Sequence, residues 1–184
     1  SNITVVEALD IGQSRIRTEL AGQPELQASL LSTIADVYKS LDESDKSIAL
    51  REEALVLQRN LYGDRSAQVI ASLRSLGSLY TASGDVGKGT RLTTEQLSLA
   101  YAIFADDDPE LGLSEIAAGI QASFRGELDE SQALLELGID RLRSAPDAYA
   151  RDLINALIAL AEKHGQQSRE QAEEVAAEAL AVAL

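Results

Sequence analysis

The chain has 184 residues, 45% of them hydrophobic and 4% aromatic, with 30 Asp and Glu against 16 Lys and Arg and no cysteine. That length and apolar content support a continuous core, and an apolar fraction drawn mostly from Leu, Ala, Ile and Val favours an all-α fold packed through small and medium side chains. A net charge of −14 excludes nucleic-acid binding by counterion release, and the missing cysteines exclude disulfide frameworks, thiolate metal sites and cysteine nucleophiles.

No run approaches the roughly 18 consecutive apolar residues that span a bilayer, so no membrane contact is expected from this chain itself. Residues 1–20 lack the basic-then-apolar layout of a secretion signal. A start at Ser1 without Met is what a piece of a longer protein would show.

Val5, Val6, Leu9, Ile16 and Leu20 place a helical stripe on Thr4–Leu20. Shifted by 41 positions it overlays a later helix, Leu9 on Leu50, Ile16 on Leu57 and Gly22 on Gly63, so residues 3–22 are predicted as the outer half of a helix pair. Residues 24–63 form the first full pair: an inner helix Pro24–Leu41, a turn at Asp42 and Glu43, and an outer helix Ser44–Tyr62 stopped by Gly63. Residues 66–105 form the second, with Asp64 or Ser66 as cap, an inner helix to Ser83, a turn at Gly84 and Asp85, and an outer helix to Phe104. Gly87 and Gly89 each cost about 1 kcal/mol in a helix interior, which predicts a close backbone approach there.

Residues 108–144 form the third pair, with Pro109 at the first helical position, a helix through Phe124, a turn at Gly126, and Leu128–Arg143. Asp106, Asp107 and Asp108 precede it without the ligand alternation, central Gly and final Glu of a calcium loop, so Asp108 is assigned to capping and no metal is expected. The fourth pair, 146–184, is expected to open at Pro146, run through Lys163, turn at Gly165, and end with Arg169–Leu184.

The stretch Ala28–Ala67 lands on itself after a shift of 42 residues: Leu31 on Leu73, Ile34 on Leu76, Tyr38 on Tyr80, Lys46 on Lys88, Leu50 on Leu92 and Leu55 on Leu97. Small residues recur at 35, 77 and 119, turn glycines at 84, 126 and 165, and small residues late in the outer helices at Ala54, Gly138 and Ala179. A period of this size signals stacked helix pairs. The pattern resembles the tetratricopeptide repeat in its longer, kinesin-light-chain-like form, and it spans essentially the whole chain. It is weaker in the third and fourth units, where Glu115 stands at a normally large position and Ala122 and Ala161 replace the Tyr. The resemblance implies a single right-handed α-solenoid of about nine helices over residues 1–184, with a concave groove lined by the inner helices.

A narrower resemblance lies in GQSRIRTELAGQPELQASLLSTIADVYKSL followed by DKSIALREEALVLQRNLYGDRS. These runs are similar to the repeat region C-terminal to the kinase domain of bacterial tetratricopeptide-containing serine/threonine kinases. That implies a regulatory or sensing module of a signalling protein, placed outside the cytoplasm behind a membrane tether; without the tether it would be cytoplasmic. The kinase motifs themselves are absent from the chain.

Carrying over the family's groove positions gives Ser29, Ser32, Asp36 and Lys39, then Ala71, Arg74, Ser78 and Thr81. The third pair gives Leu113, Ile116, Ile120 and Ser123, and the fourth Asp152, Asn155, Ala159 and Glu162. The paired Lys and Asn side chains that clamp a peptide carboxylate in some members are missing, Lys39 and Arg74 being a poor version of them. Leu113, Ile116 and Ile120 offer an apolar strip instead, suited to a protein or peptide segment, extended or helical, with aliphatic anchors.

No catalytic constellation emerges and no cofactor is implied. His164 stands beside Gly165 at a helix end, there is no Gly-x-Ser-x-Gly elbow, and Glu52, Glu53, Glu173 and Glu174 are adjacent pairs on outer helices rather than carboxylates facing across a cleft. The last helix carries Val175, Ala176, Ala179, Leu180, Val182 and Ala183, more apolar surface than one preceding helix covers. Either further helices follow it, or it pairs with a second copy to make a homodimer or a self-assembling scaffold. A small-molecule sensor is the remaining alternative, and it requires a closed pocket.

Overall fold

A computed structural model describes residues 3–165 and 169–183, the side chains of residues 163–165 excepted. Among the described residues the chain forms nine helices: α1 (Val5–Glu19), α2 (Pro24–Ser40), α3 (Ser44–Tyr62), α4 (Ala67–Ala82), α5 (Val86–Ile103), α6 (Pro109–Arg125), α7 (Leu128–Leu142), α8 (Ala150–Gly165) and α9 (Arg169–Val182). No strand occurs among them.

The helix starts are written in side-chain chemistry. Thr4 and Glu7 make a reciprocal capping box at α1, Ser66 accepts from the Val69 amide at α4, and Asp85 accepts from the Lys88 amide at α5. Asp108 accepts from the Glu110 amide at 2.9 Å, and Pro24 and Pro109 occupy first-turn positions where a missing N–H costs nothing. The turn inside each of the first three pairs needs a left-handed residue. Gly84 and Gly126 supply it with φ of 95° and 80°, whereas Asp42, one repeat earlier, is forced to φ 60°. Asp42→Gly should therefore raise stability by about 0.5–1 kcal/mol, read as a shift of the urea midpoint at unchanged slope. A lower midpoint would mean that the Asp42 side chain contributes more than its backbone strain removes.

Packing follows chain order. Each inner helix packs on the outer helix after it and on the outer helix before it, and the inner helix α6 also touches α4 and α8. No two outer helices approach as closely among the described residues. Units closer on one side than the other produce curvature, so the helix pairs form an α-solenoid with the inner helices on its concave wall.

Along the convex side, long side chains bridge successive outer helices: Arg17 to Glu53 at 2.6 Å, Arg59 to Glu95 at 2.5 Å and Arg143 to Glu178 at 2.7 Å. The rung between α5 and α7 is missing, because Tyr101 and Leu137 stand at those positions. A second device is repeated inside the stack. The Tyr38 hydroxyl donates to Asp10 at 2.6 Å while Lys46 binds the same carboxylate and lies 5.3 Å from the ring centre. One repeat on, the Tyr80 hydroxyl donates to Glu52 and Lys88 lies 4.2 Å from the ring. Burial and the adjacent carboxylate push both phenols above their ordinary pKa, so each remains a neutral donor.

The third unit breaks this pattern. Ala122 replaces the tyrosine, and the joint is made by a polar network: the Gln121 amide donates to Thr90 at 2.9 Å and accepts from Thr81 at 2.5 Å, tying α4, α5 and α6 together. Glu115, at the position of Leu31 and Leu73, is fully buried and held by the Arg141 guanidinium at 2.8 and 3.1 Å and by the Tyr101 hydroxyl at 3.0 Å.

The fourth pair corrects one expectation. Pro146 does not open the inner helix, which begins at Ala150. Residues 144–149 form successive turns instead, with the amides of Ala148 and Tyr149 bonded to the Ala145 carbonyl. Tyr149 packs against the core cluster of α7 and α8 and its hydroxyl donates to Glu110 at 3.3 Å, which anchors the turn and delays the helix. Of the apolar residues expected to be uncovered on α9, Ala179 is buried and Val175 and Val182 pack on that cluster, leaving Ala176, Ala183 and Leu180 exposed, Leu180 at 64%. The side chain of His164, and Leu184, lie outside the described residues.

Candidate functional site

The inner helices alternate a core face with a concave face. On α4, Val69, Leu73, Leu76 and Tyr80 turn into the core against Ile48 and Leu55 of α3. Their helical neighbours Ala71, Arg74 and Ser78 are left on the wall. On α6, Ile120 takes such a place, Leu113 is partly buried against the core, and Ile116, expected on the groove, is instead buried in the core cluster with Leu135 and Ile139 and only edges the wall.

A cavity of about 580 Å³ occupies this wall and gathers ten of the positions taken from the sequence: Lys39 of α2; Ala71, Arg74, Ser78 and Thr81 of α4; Leu113, Ile116 and Ile120 of α6; and Asp152 and Asn155 of α8. Thr81 is buried, its hydroxyl committed to the Gly77 carbonyl at 2.9 Å and to Gln121. The remaining six lie elsewhere, Ala159 among them, partly buried and packed against the core cluster of Leu153 and Leu157. Ser32 and Ser123 are half-buried to either side, Asp36 is exposed and pairs with Arg51, and Ser29 lies in a shallow trough with Pro24, Leu26 and Leu61. Glu162 lines a second trough, of about 740 Å³, between α8 and α9.

The cavity also contains residues that the sequence reading did not single out. Ser75, Ala82, Ala117 and Phe124 are one step round the inner helices from the chosen positions, and the 42-residue period joins Ala82 to Phe124. Phe124 is 60% exposed, an aromatic ring on an open wall. Arg51 and Thr93 come from outer helices, where no groove rule would look for them. Arg51 crosses because its side chain is long enough to reach Asp36 on α2; it ends 11% exposed, with its Nε buried and lacking an acceptor.

The floor is therefore aliphatic and aromatic on α6, bordered by cations from α2, α3 and α4 and by Asp152 and Asn155 on α8. Arg74 reaches Glu110 only at 3.4 and 3.5 Å. Among its lining residues there is no facing pair of acid and base and no nucleophile beside a base. Among the described residues no group of three or more His, Asp or Glu is placed to hold a metal, and no helix is long and apolar enough to cross a membrane.

Residues 26–88 match the family model described as tetratricopeptide repeat. Among solved structures, the chain is similar to BtubC (BKLC) from P. vanneervenii, with a TM-score of 0.78 at 16% identity over 95% of this chain and 73% of that one. It is also similar to the nearly identical TPR-like repeats of a kinesin-light-chain-type protein from Podosopora anserina, with a TM-score of 0.58 at 16% identity over 95% and 94% of the two chains. RapI in its apo form matches with a TM-score of 0.74 at 15% identity, over 96% of this chain and 49% of RapI. Among curated proteins no sequence matches. At these identities the likeness shows the fold alone.

Proposed function

We propose, for a tetratricopeptide repeat protein of the kinesin-light-chain-like spacing, that the chain is a non-catalytic interaction module binding a protein or peptide segment on its concave wall. The observation that carries this reading is the cavity where ten separately chosen inner-helix positions meet beside an exposed aromatic ring. An open, apolar wall of this kind suits a partner segment better than a metabolite, which needs enclosure. Capture of partners from the source cell tests it with Ile120→Asp, a 36% exposed position where the fold tolerates a charge. Recovery of the partner should fall about tenfold or more while the helical circular dichroism stays unchanged. Undiminished capture would move the binding surface elsewhere.

The resemblance of residues 4–66 to the repeats of bacterial serine/threonine kinases supports a finer reading, that the module regulates or senses for such a kinase from outside the cytoplasm. The parent reading frame tests it: a kinase domain and a membrane-spanning helix upstream of Ser1 support it, and any other neighbour ends it.

A second reading, self-association through α9, is favoured by the trough between α8 and α9, where Ile158 and Leu180 are 48% and 64% exposed. Light scattering over a wide concentration range should then show a mass that rises with concentration and falls to that of the monomer in Leu180→Asp. A constant monomer mass for the unsubstituted chain contradicts it. Leu180 is the position to change, because it is exposed, whereas Val182 packs on the core cluster and its substitution would change stability as well.

A further inference from the structure

The joint between the second and third helix pairs is built unlike the one before it. Between the first two pairs, Ile48 of α3 and Leu79 of α4 belong to one buried apolar cluster. One repeat on, Thr90 and Gln121 stand in their places, and the contact becomes a hydrogen bond of 2.9 Å from the Gln121 amide to the Thr90 hydroxyl. Val37 in the first pair and Leu160 in the fourth hold the position of Gln121, so the polar residue is confined to this joint. The other fastenings change with it. Ala122, Thr94 and Glu130 replace Tyr80, Glu52 and Lys88, and Tyr101 and Leu137 fill the places of the convex rung.

The two ends of this joint are held by different forces. Where α5 finishes and α6 starts, Ala100 and Leu111 are buried with Ile70, and the Tyr101 hydroxyl donates to Glu115 at 3.0 Å. At the other end Gln121 of α6 donates to Thr90 and, at 3.3 Å, to the Val86 carbonyl of α5, and accepts from Thr81 of α4 at 2.5 Å. The large apolar clusters on the two sides are separate among the described residues, one built from α3, α4 and α5 and the other from α6 to α9. Parting an apolar pair exposes its surface to water, whereas an amide and two hydroxyls exchange their bonds for bonds to water at small net cost. Thr81 and Gln121 line the concave cavity, so water reaches them as soon as they separate.

From this arrangement we infer that the array is two stiff segments, α1 to α5 and α6 to α9, hinged at the α5–α6 joint, with Ile70, Ala100 and Leu111 as the pivot and Gln121 as the latch. The hinge divides the concave wall: Lys39, Arg74 and Ser78 ride on one segment, and Ile120, Phe124 and Asn155 on the other. Rotation about the pivot sets the width of the wall, and a partner that spans it selects one angle. That consequence rests on the reading of the wall as the recognition surface; the hinge itself does not.

The chain has no cysteine, so spin labels can be placed on it without background. Ser14, Val56, Ser98 and Asp140 share one register on α1, α3, α5 and α7, and all four are exposed. Double electron–electron resonance on Ser14→Cys with Ser98→Cys measures a span inside the first segment, and Val56→Cys with Asp140→Cys measures the matching span across the joint. The second distance distribution should be at least about twofold broader than the first. Thr90→Ile with Gln121→Leu, which rebuilds the apolar pair of the preceding joint, should narrow it to the width of the first, and Gln121→Ala, which only removes the latch, should broaden it further. Equal widths in the unsubstituted chain, or a width that neither replacement alters, would overturn the hinge and leave the reading of the wall untouched.

Discussion

Arg141→Met is expected to lower the unfolding free energy by about 3–5 kcal/mol, the largest single-residue effect away from the aliphatic core. The carboxylate of Glu115 has no exposed surface, and among the described residues Arg141 is the only cation bonded to it, through two nitrogens at 2.8 and 3.1 Å. Removing the guanidinium leaves a buried charge with the Tyr101 hydroxyl alone, and the joint between α5, α6 and α7 loses its centre. The double replacement Glu115→Leu with Arg141→Met should behave differently. Leu31 and Leu73 occupy the equivalent place in the first two units, so a leucine there restores the ordinary packing of the repeat. An apolar replacement of a buried pair is generally neutral or stabilising, so the double variant should return to within about 1 kcal/mol of the original or exceed it. Equilibrium urea unfolding of the three chains decides the matter, and a loss below about 1 kcal/mol in Arg141→Met would show the pair to be dispensable.

Two glycines two residues apart should respond with opposite signs. A methyl group on Gly89 would lie 2.1 Å from the Thr81 hydroxyl and 2.9 Å from the Gly77 carbonyl, and Gly77 in turn would meet Thr93 at 2.6 Å. Here α4 and α5 touch backbone to backbone, and neither Thr81, tied to Gly77 and Gln121, nor the helix itself is free to move. Gly89→Ala is expected to cost about 1–3 kcal/mol. A methyl on Gly87 would find its nearest neighbour at 3.8 Å, and Gly87→Ala is expected to gain up to about 1 kcal/mol from helix propensity. Thermal melts of the two variants check both signs at once; a stabilising Gly89→Ala would mean the helices can separate without loss.

These two sites also show how far the sequence could be read. The 42-residue period places Tyr38 and Tyr80, Lys46 and Lys88, and the small residues at 35, 77 and 119 correctly in the stack, because each does the same work in successive units. Close approach at Gly89 followed from its helix cost, but the same argument extended to Gly87, where a methyl would meet only the Asp85 side chain at ordinary contact distance. Propensity reports that a residue is unusual, whereas only packing reports what it faces.

Legibility failed where a unit departs from its neighbours. The delayed start of α8 depends on Tyr149 docking on the core and on Glu110 of a different helix, a tertiary contact that outweighs the local preference of Pro146 for a first turn. Glu115 reads as a defect in the repeat until Arg141, 26 positions on, is placed beside it. Arg51 was out of reach for a related reason. It belongs to an outer helix, and only its pairing with Asp36 across α2 and α3 carries it to the inner wall.

Hydrogen exchange of the chain with and without its captured partner tests the central claim most directly. If the concave wall is the recognition surface, slowed exchange should concentrate in α4 and α6, around Arg74, Ile116 and Ile120, and leave the outer faces of α3, α5 and α7 unchanged. Protection confined to the outer helices, or to the exposed side of α9, would contradict the account.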